Sequence, residues 1–437
     1  KYFKLKKQSN RRRNEAMGYE MFAIATATLL VRAAASPDWI GQNFQQLREK
    51  TLLEITLPGS HNSGNYQGGL HTDVLCESDY RYNEYVASPS SRLLQASGRP
   101  VLSQMEFDRR MLPWNINHFR PIKAQLEDGI RFLHLKICNF GVPGAQSMDL
   151  AAVRFQHRGY TTRETVASTI QDLHSFLEEY PKEIVVLGFN NLHNSASKFG
   201  QADIRALSNA LETAIGEKLI NKKQLFSNSI GDLVEAGRRV VVFLKDADPD
   251  SSYIIPGQMA LAENWSPVMA SGDLLGSKNW LLQDLQSSAT QGLYYVMQAN
   301  PNNAESKMYE AMNSNTAPMS NLEFLRGFLL DLPDFILQAV AANPRIQINV
   351  IDSDFLNISK PYETAMKLMG LPGPSTMLEE SSGLTILPIL LYIAAFCILF
   401  GLLHCMDVFS GASGGPCRPS SWSHIWVVKQ THFERLS

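Results

Sequence analysis

Between residue 36 and about residue 370 the chain alternates short, nearly continuous apolar runs with longer stretches that are apolar on one side only. Residues 52–57 predict a strand leading into a turn at Pro58-Gly59. Residues 122–128 predict a helix, and residues 130–137 (IRFLHLKI) the strand that follows it. A third strand is predicted at 153–157. Thr161-Thr162-Arg163-Glu164 has the form of a capping box, and Val166, Ile170, Leu173 and Leu177 follow at helical spacing. Tyr180-Pro181 ends that helix, and residues 183–189 (EIVVLGF) predict a buried strand. Gly237 breaks a further helix before a strand at 240–244 (VVVFL), and 346–351 (IQINVI) is the last strong strand.

Strands apolar on both faces, alternating with one-sided helices, predict a parallel sheet covered by helices. No repeat or low-complexity linker divides residues 36–375, so they are read as one domain. At this length the closed solution is a (β/α) barrel of the TIM type. A doubly wound open sheet is the alternative, but no G-x-G-x-x-G stands at the first strand–helix turn. Barrels carry function at the C-terminal ends of their strands. His61 follows the first predicted strand, Lys136 lies near the end of the second and His157 ends the third. Asn190, Lys245 and Asp354 end the fourth, fifth and last. A solvated rim would give the same pattern.

Charge changes the picture little: 437 residues with a net charge of −2 lack the basic excess of a dedicated nucleic-acid binder. The two ends change it more. Residues 1–13 are basic, 21–31 are apolar, and Ala33-Ala34-Ala35-Ser36 are small. This is the form of a secretory signal peptide, so residues 1–35 are read as a leader cut after Ala35. A buried N-terminal helix is the other reading. Residues 384–403 (LTILPILLYIAAFCILFGLL) carry no charge and are long enough for a transmembrane helix, leaving a short tail at 404–437. The expectation is a secretory-pathway, single-pass membrane protein with a luminal or extracellular catalytic domain. A glycolipid-anchored or secreted form is the rival, given Ser381-Ser382-Gly383. Cys76 and Cys138 then share an oxidising compartment, where one disulfide would form. Cys397, Cys405 and Cys417 lie in or after the apolar run, no C-x-x-C suggests zinc, and Asn264 and Asn357 open glycosylation sequons.

Four blocks in order carry a resemblance. Residues 57–64 (LPGSHNSG), 125–133 (QLEDGIRFL), 155–157 (FQH) and 180–187 (YPKEIVVL) resemble the phosphatidylinositol-specific phospholipase C X-domain family. The resemblance is closest to proteins with only the X domain. It continues more loosely at 237–242 and at Asp354-Phe355, and covers roughly residues 50–360. It implies a distorted TIM barrel and cleavage of an inositol phospholipid. In that reaction the inositol 2-hydroxyl attacks phosphorus, releasing diacylglycerol and an inositol cyclic phosphate.

The chemistry needs a base for the hydroxyl proton and an acid for the leaving alkoxide, and histidine serves both near neutrality. The resemblance makes His61 the base and His157 the acid. Asp354 is the carboxylate that orients the base, with Asp352 two residues earlier as the alternative. The second strand departs from the family: His134-Leu135-Lys136 stands where calcium-dependent members carry acidic ligands. Calcium prefers several carboxylates, so the site is read as metal-independent and without a cofactor. Lys136 stabilises the phosphate, and Asn62, Asn190 and Lys245 join it in binding substrate. The expected partners are an inositol phospholipid or glycosylated inositol lipid and the membrane that carries it, with Trp114, Phe119 and Trp265 as candidate docking residues or ordinary core. His134 motivates a second reading, a catalytically impaired lipid- or glycan-binding protein on the same fold. A third is a glycerophosphodiesterase, which needs paired acidic metal ligands that are not found near the histidines.

Overall fold

A computed structural model describes residues 36–265, 274–288, 293–301, 305–314 and 320–373. Among the described residues eleven strands form one sheet. They are β1 (Leu57–Ser60), β2 (Leu70–Leu75), β3 (Phe132–Asn139), β4 (Val153–His157), β5 (Tyr160–Thr165) and β6 (Val185–Asn194). Then come β7 (Val240–Leu244), β8 (Ile254–Pro256), β9 (Leu261–Glu263), β10 (Tyr294–Gln298) and β11 (Val350–Ser353).

Parallel ladders run from β8 through β7, β6, β3, β1, β11 and β10 to β9. The last strand thus pairs with the first, which is the closure of a TIM-type barrel. The ring is open at one seam: among the described residues, β8 and β9 share no ladder. A four-residue helix, Gly257–Ala260, joins them instead. The fold is a distorted (β/α) barrel.

Two apolar layers hold it. Phe132, Val186, Val241, Phe243 and Ile255 belong to one core, with the helices Asn321–Ala342 and Pro361–Leu368. Their strand neighbours Leu133, Val185, Leu187, Val240 and Val242 alternate into a second core, under the helices Val166–Glu179 and Gln201–Ile215. This period-two alternation with both faces buried is what makes the parallel strands read as continuous apolar runs.

The lower end is closed by the segment that begins the described chain. Arg131 and Glu183, both fully buried, form an ion pair at 2.5 Å. Glu183 also accepts the backbone N–H groups of Ile40 (2.7 Å) and Gly41 (3.0 Å), and Arg131 donates to the Pro37 carbonyl. Two of the four motif blocks therefore supply this floor.

Several expectations need correcting. Leu52–Glu54 is a 3-10 turn and the first strand starts at Leu57, so Pro58-Gly59 lies within it. Gly59 is needed for close packing: a Cβ there would stand 2.7 Å from the Val350 side chain and 3.0 Å from the Ile351 carbonyl oxygen. Residues 160–165 are strand, and the helix begins only at Val166, capped by Thr165 and Ser168. Pairing with β4 and β2 holds that stretch extended. The strand at 153–157 is not a ring member. It runs antiparallel to the upper end of β3 (Ile137↔Phe155, Asn139↔Val153) and turns back toward the barrel mouth, bringing His157 with it.

The expectation of a single-pass membrane protein is also overturned. Among the described residues no helix is long and apolar enough to cross a membrane. The longest described helix, Asn321–Ala342, carries Glu323, Arg326, Asp331 and Asp334 and buries only one face. The runs 1–35 and 384–403, on which the leader and the span were read, lie outside the described residues. Cys76 and Cys138 are joined by a disulfide, with Cα atoms 6.0 Å apart.

Candidate active site

β1 sets the position of the first histidine. Gly59 stands opposite Asp352 and Ser60 opposite Ser353, so His61 and Asp354 leave their strands side by side. His61 Nδ1 lies 2.9 Å from Asp354 Oδ1. The same carboxylate accepts hydrogen bonds from Asn117 Nδ2 (2.8 Å) and Asn321 Nδ2 (3.3 Å). Burial pushes the Asp354 carboxyl up to about 6, against the opposing pull of His118, the two amides and Lys136. Burial also drives the His61 ring well below its ordinary value; Asp352 opposes this while Lys136, His134 and His118 add to it. The ring is therefore neutral at pH 7. With Nδ1 facing the carboxylate, its buried Nε2 has no partner among the described residues.

A cleft of about 160 Å³ joins His61 to His157. Lys136, Arg158, Asn191, Trp265 and Asp354 also line it. His157 is held neutral by burial, then by Arg158, Lys136 and His61. Lys136 is brought down to about 8, again by burial first and then by the Arg158 charge. Its Nζ sits 5.6 Å from the centre of the Trp265 ring. That ring in turn lies 5.1 Å from the His61 ring and 5.7 Å from that of His134. Asp79, Arg81 and Glu305 line the same cleft, so its cationic side chains stand among carboxylates.

A second cavity of about 500 Å³ shares Lys136, Asn191 and Trp265 with the first. It is lined further by Asn190, Lys245, Glu263 and His134. His134, the residue without an account in the sequence, pairs Nδ1 with Asp352 Oδ2 at 2.9 Å and faces Asn190 and Glu263 through Nε2. Gln298 bridges Glu263 (2.6 Å) and Asp352 (2.9 Å). Burial opposes charge on His134, but the Asp352 carboxylate, followed by Glu263, outweighs it and raises the ring. The two carboxylates within reach of His134 thus favour its protonated form. Among the described residues no group of three or more His, Cys, Asp and Glu side chains is arranged to hold a metal ion.

The backbone turns sharply where these strands end. Asn62, Arg158, Asn191, Asp246 and Phe355, at or next to the site, all have positive φ. Asn191 is the extra residue of a bulge: Lys136 pairs with Asn190, but Ile137 already pairs with Leu192. Bulges of this kind re-aim a strand beside a site.

No protein-family model matches the chain. Curated proteins do match. PI-PLC X domain-containing protein 1 from Homo sapiens is 23% identical over 232 residues, which cover 53% of this chain and 63% of that protein. PI-PLC X domain-containing protein 2 from Homo sapiens is 22% identical over 289 residues, covering 66% of this chain and 85% of that protein. The chain is a relative of the PI-PLC X domain-containing proteins. It spans less than two thirds of the first of them, and 39% of that protein's counterpart in Mus musculus. Among solved structures, the phosphatidylinositol-specific phospholipase C of Listeria monocytogenes aligns with 74% of this chain and 95% of its own, at 9% identity and a TM-score of 0.45. A mutant of the Staphylococcus aureus enzyme aligns with 74% of this chain and 92% of its own, at 15% identity and a TM-score of 0.44.

Of the residues singled out through the X-domain resemblance, His61, His157, Asp354 and Lys136 line one cleft. Asn190 and Lys245 line the larger cavity instead. Asn62 lines neither; it is buried, its amide 3.5 Å from His61 Nδ1. Trp114 is core at 2% exposure, Phe119 is exposed with its ring tilted against that of Phe355, and Trp265 covers the site. Sequence reading missed Arg158, Asn117, Asn321 and Glu263. Arg158 directly follows an assigned histidine, but the others come from segments with no motif.

Proposed function

We propose that the chain is a phosphodiesterase of the phosphatidylinositol phospholipase C type, acting on an inositol phospholipid or glycosylated inositol lipid. One observation carries this reading. The Asp354 carboxylate takes His61 Nδ1, leaving a buried, neutral Nε2 beside a cleft that also holds His157 and Lys136. The phosphodiester sits in the smaller cleft and the inositol ring in the larger cavity. His61 Nε2 removes the proton of the 2-hydroxyl, whose oxygen attacks phosphorus. Asp354 stabilises the imidazolium that forms. The glycerol oxygen leaves with a proton from His157, giving diacylglycerol and a cyclic phosphate. His157 is neutral in the free site, and the anionic phosphate raises its affinity for the proton it must donate. Lys136 and Arg158 take up the charge developing on the phosphoryl oxygens. No divalent cation is required.

The test uses the full-length protein, phosphatidylinositol vesicles and a chelator, with cyclic inositol phosphate as the readout. Turnover that survives chelation and is lost in His61→Ala is expected. Turnover that requires a divalent metal refutes the metal-free account. Vesicle binding without turnover, with or without the chelator, replaces catalysis with the lipid-binding reading.

A further inference from the structure

The helix Gln104–Asn115 carries Pro113 in its last turn, and the chain continues from it in extended form at Ile116. Asn115 Nδ2 caps the ending helix by donating to the Met111 carbonyl at 3.1 Å. Residues 114–118 visit the acid, its neighbouring arginine, the carboxylate and the base in turn. The Trp114 carbonyl accepts from Arg158 Nη1 at 3.2 Å, and the Asn115 carbonyl faces His157 Nδ1 at 3.4 Å. Asn117 Nδ2 donates to Asp354 at 2.8 Å, and the Asn117 carbonyl accepts the Phe355 N–H at 2.7 Å. His118 Nε2 lies 2.6 Å from the His61 carbonyl oxygen and 3.0 Å from Ser60 Oγ. Four of five consecutive residues thus touch the acid, its neighbouring arginine, the carboxylate and the base.

The segment is itself fixed from the other side. The N–H groups of Asn117 and His118 donate to the Asn65 carbonyl (2.8 and 3.1 Å), and Gln67 N–H donates to the His118 carbonyl (2.8 Å). The segment therefore joins the turns after β1 and β11. Phe355, a bulky residue at a φ of 48°, is held in that conformation by its bond to Asn117. Left-handed backbone at such a residue persists only where its surroundings impose it. His118 is buried, and its Nδ1 has no partner among the described residues. The proton is therefore on Nε2, facing the His61 carbonyl.

We propose that residues 114–118 form a strap that keeps base, carboxylate and acid in mutual register, with Asn117 and His118 as positioning residues. It rests on the phosphodiesterase reading for its kinetic consequences but not for its geometry. A β1 turn released from His118 swings His61 relative to Asp354. A carboxylate that loses Asn117 still faces His61, His118, Lys136 and the amide of Asn321, but accepts one hydrogen bond fewer in its charged form.

The experiment uses full-length protein with 15N-labelled histidine rings in three variants, Asn117→Leu, His118→Leu and His118→Gln. Glutamine places an N–H near the position of Nε2. Expected are a tenfold or greater loss of kcat at little change in KM for both leucine variants, and recovery of most of it by His118→Gln. In Asn117→Leu the acid limb of the pH profile moves up by about one pH unit, because the carboxylate protonates more readily. Wild-type kcat and an unmoved acid limb overturn the proposal, as does a loss in yield that leaves both unchanged in the folded fraction. If the wild type shows no turnover on any inositol lipid, the phosphodiesterase reading falls and the ring nitrogens decide the strap. His61 signals that leave the Nδ1-protonated form in Asn117→Leu support it; unchanged signals refute it.

Discussion

Replacing Asp354 with Asn should make the protein more stable and its catalysis far poorer, and both magnitudes follow from the site. The carboxyl is buried and its titration moves from an ordinary 3.8 to about 6. That displacement corresponds to about 3 kcal/mol against the ionised folded state. The sign is fixed by linkage. Because the folded-state value lies above the unfolded one, the group's favourable contribution is complete below about pH 4 and is lost as pH rises through about 6. Asparagine carries no such penalty. Its carbonyl oxygen keeps the bonds from His61 and Asn117, and Asn321 can turn its amide to meet the new NH₂. The variant should gain between about 1 and 3 kcal/mol over wild type at pH 8 and nothing at pH 4. Against that, the imidazolium formed on His61 loses a carboxylate at 2.9 Å. At an effective dielectric constant of about 20 this contact is worth about 4–6 kcal/mol, or roughly 10³–10⁴ in rate. Denaturant unfolding at the two pH values and cyclic phosphate release at pH 7 measure the two effects. A variant less stable than wild type at pH 8, or one retaining a tenth of the activity, refutes the reasoning.

The other predictions address the floor, the phosphate site and the disulfide. Glu183→Ala leaves Arg131 buried without its partner and should cost about 3–5 kcal/mol, whereas replacing both by Met and Leu should cost less; urea midpoints of the three proteins decide. Lys136 carries charge only below about pH 8, so vesicle turnover should fall as pH rises through that value, and Lys136→Met should flatten this alkaline limb. Cys76→Ser with Cys138→Ser opens a loop spanning a sequence separation of 62, at a cost of about 4 kcal/mol by loop entropy, read as a lower thermal midpoint.

Much of this architecture was legible from local pattern. Continuous apolar runs marked β3, β6 and β7 because both faces of a parallel strand are buried, and that burial leaves a mark in each short segment. The errors lie where pairing partners are remote. Residues 160–165 satisfy a helix-capping pattern but are held extended by β2 and β4, and Val153–His157 reads as a ring strand but pairs antiparallel outside it. Local preference loses there to ladder hydrogen bonds whose other half lies up to 92 residues away, as in Leu70↔Thr162.

The same division runs through the site. The sequence by itself placed His61 and His157 at strand ends, because a motif keeps its spacing whatever surrounds it. It preferred Asp354 to Asp352 without fixing the register, and it left His134 without a role. Only the barrel separates them. The β1–β11 register sets His61 beside Asp354, while β3, on the far side of β1, presents His134 to Asp352. The strap at 114–118 and the closing ion pair Arg131–Glu183 were equally hidden, since they join segments from 42 to 237 residues apart. Spacing along a chain records what one element needs, and contact across a barrel is decided only when all the strands close together.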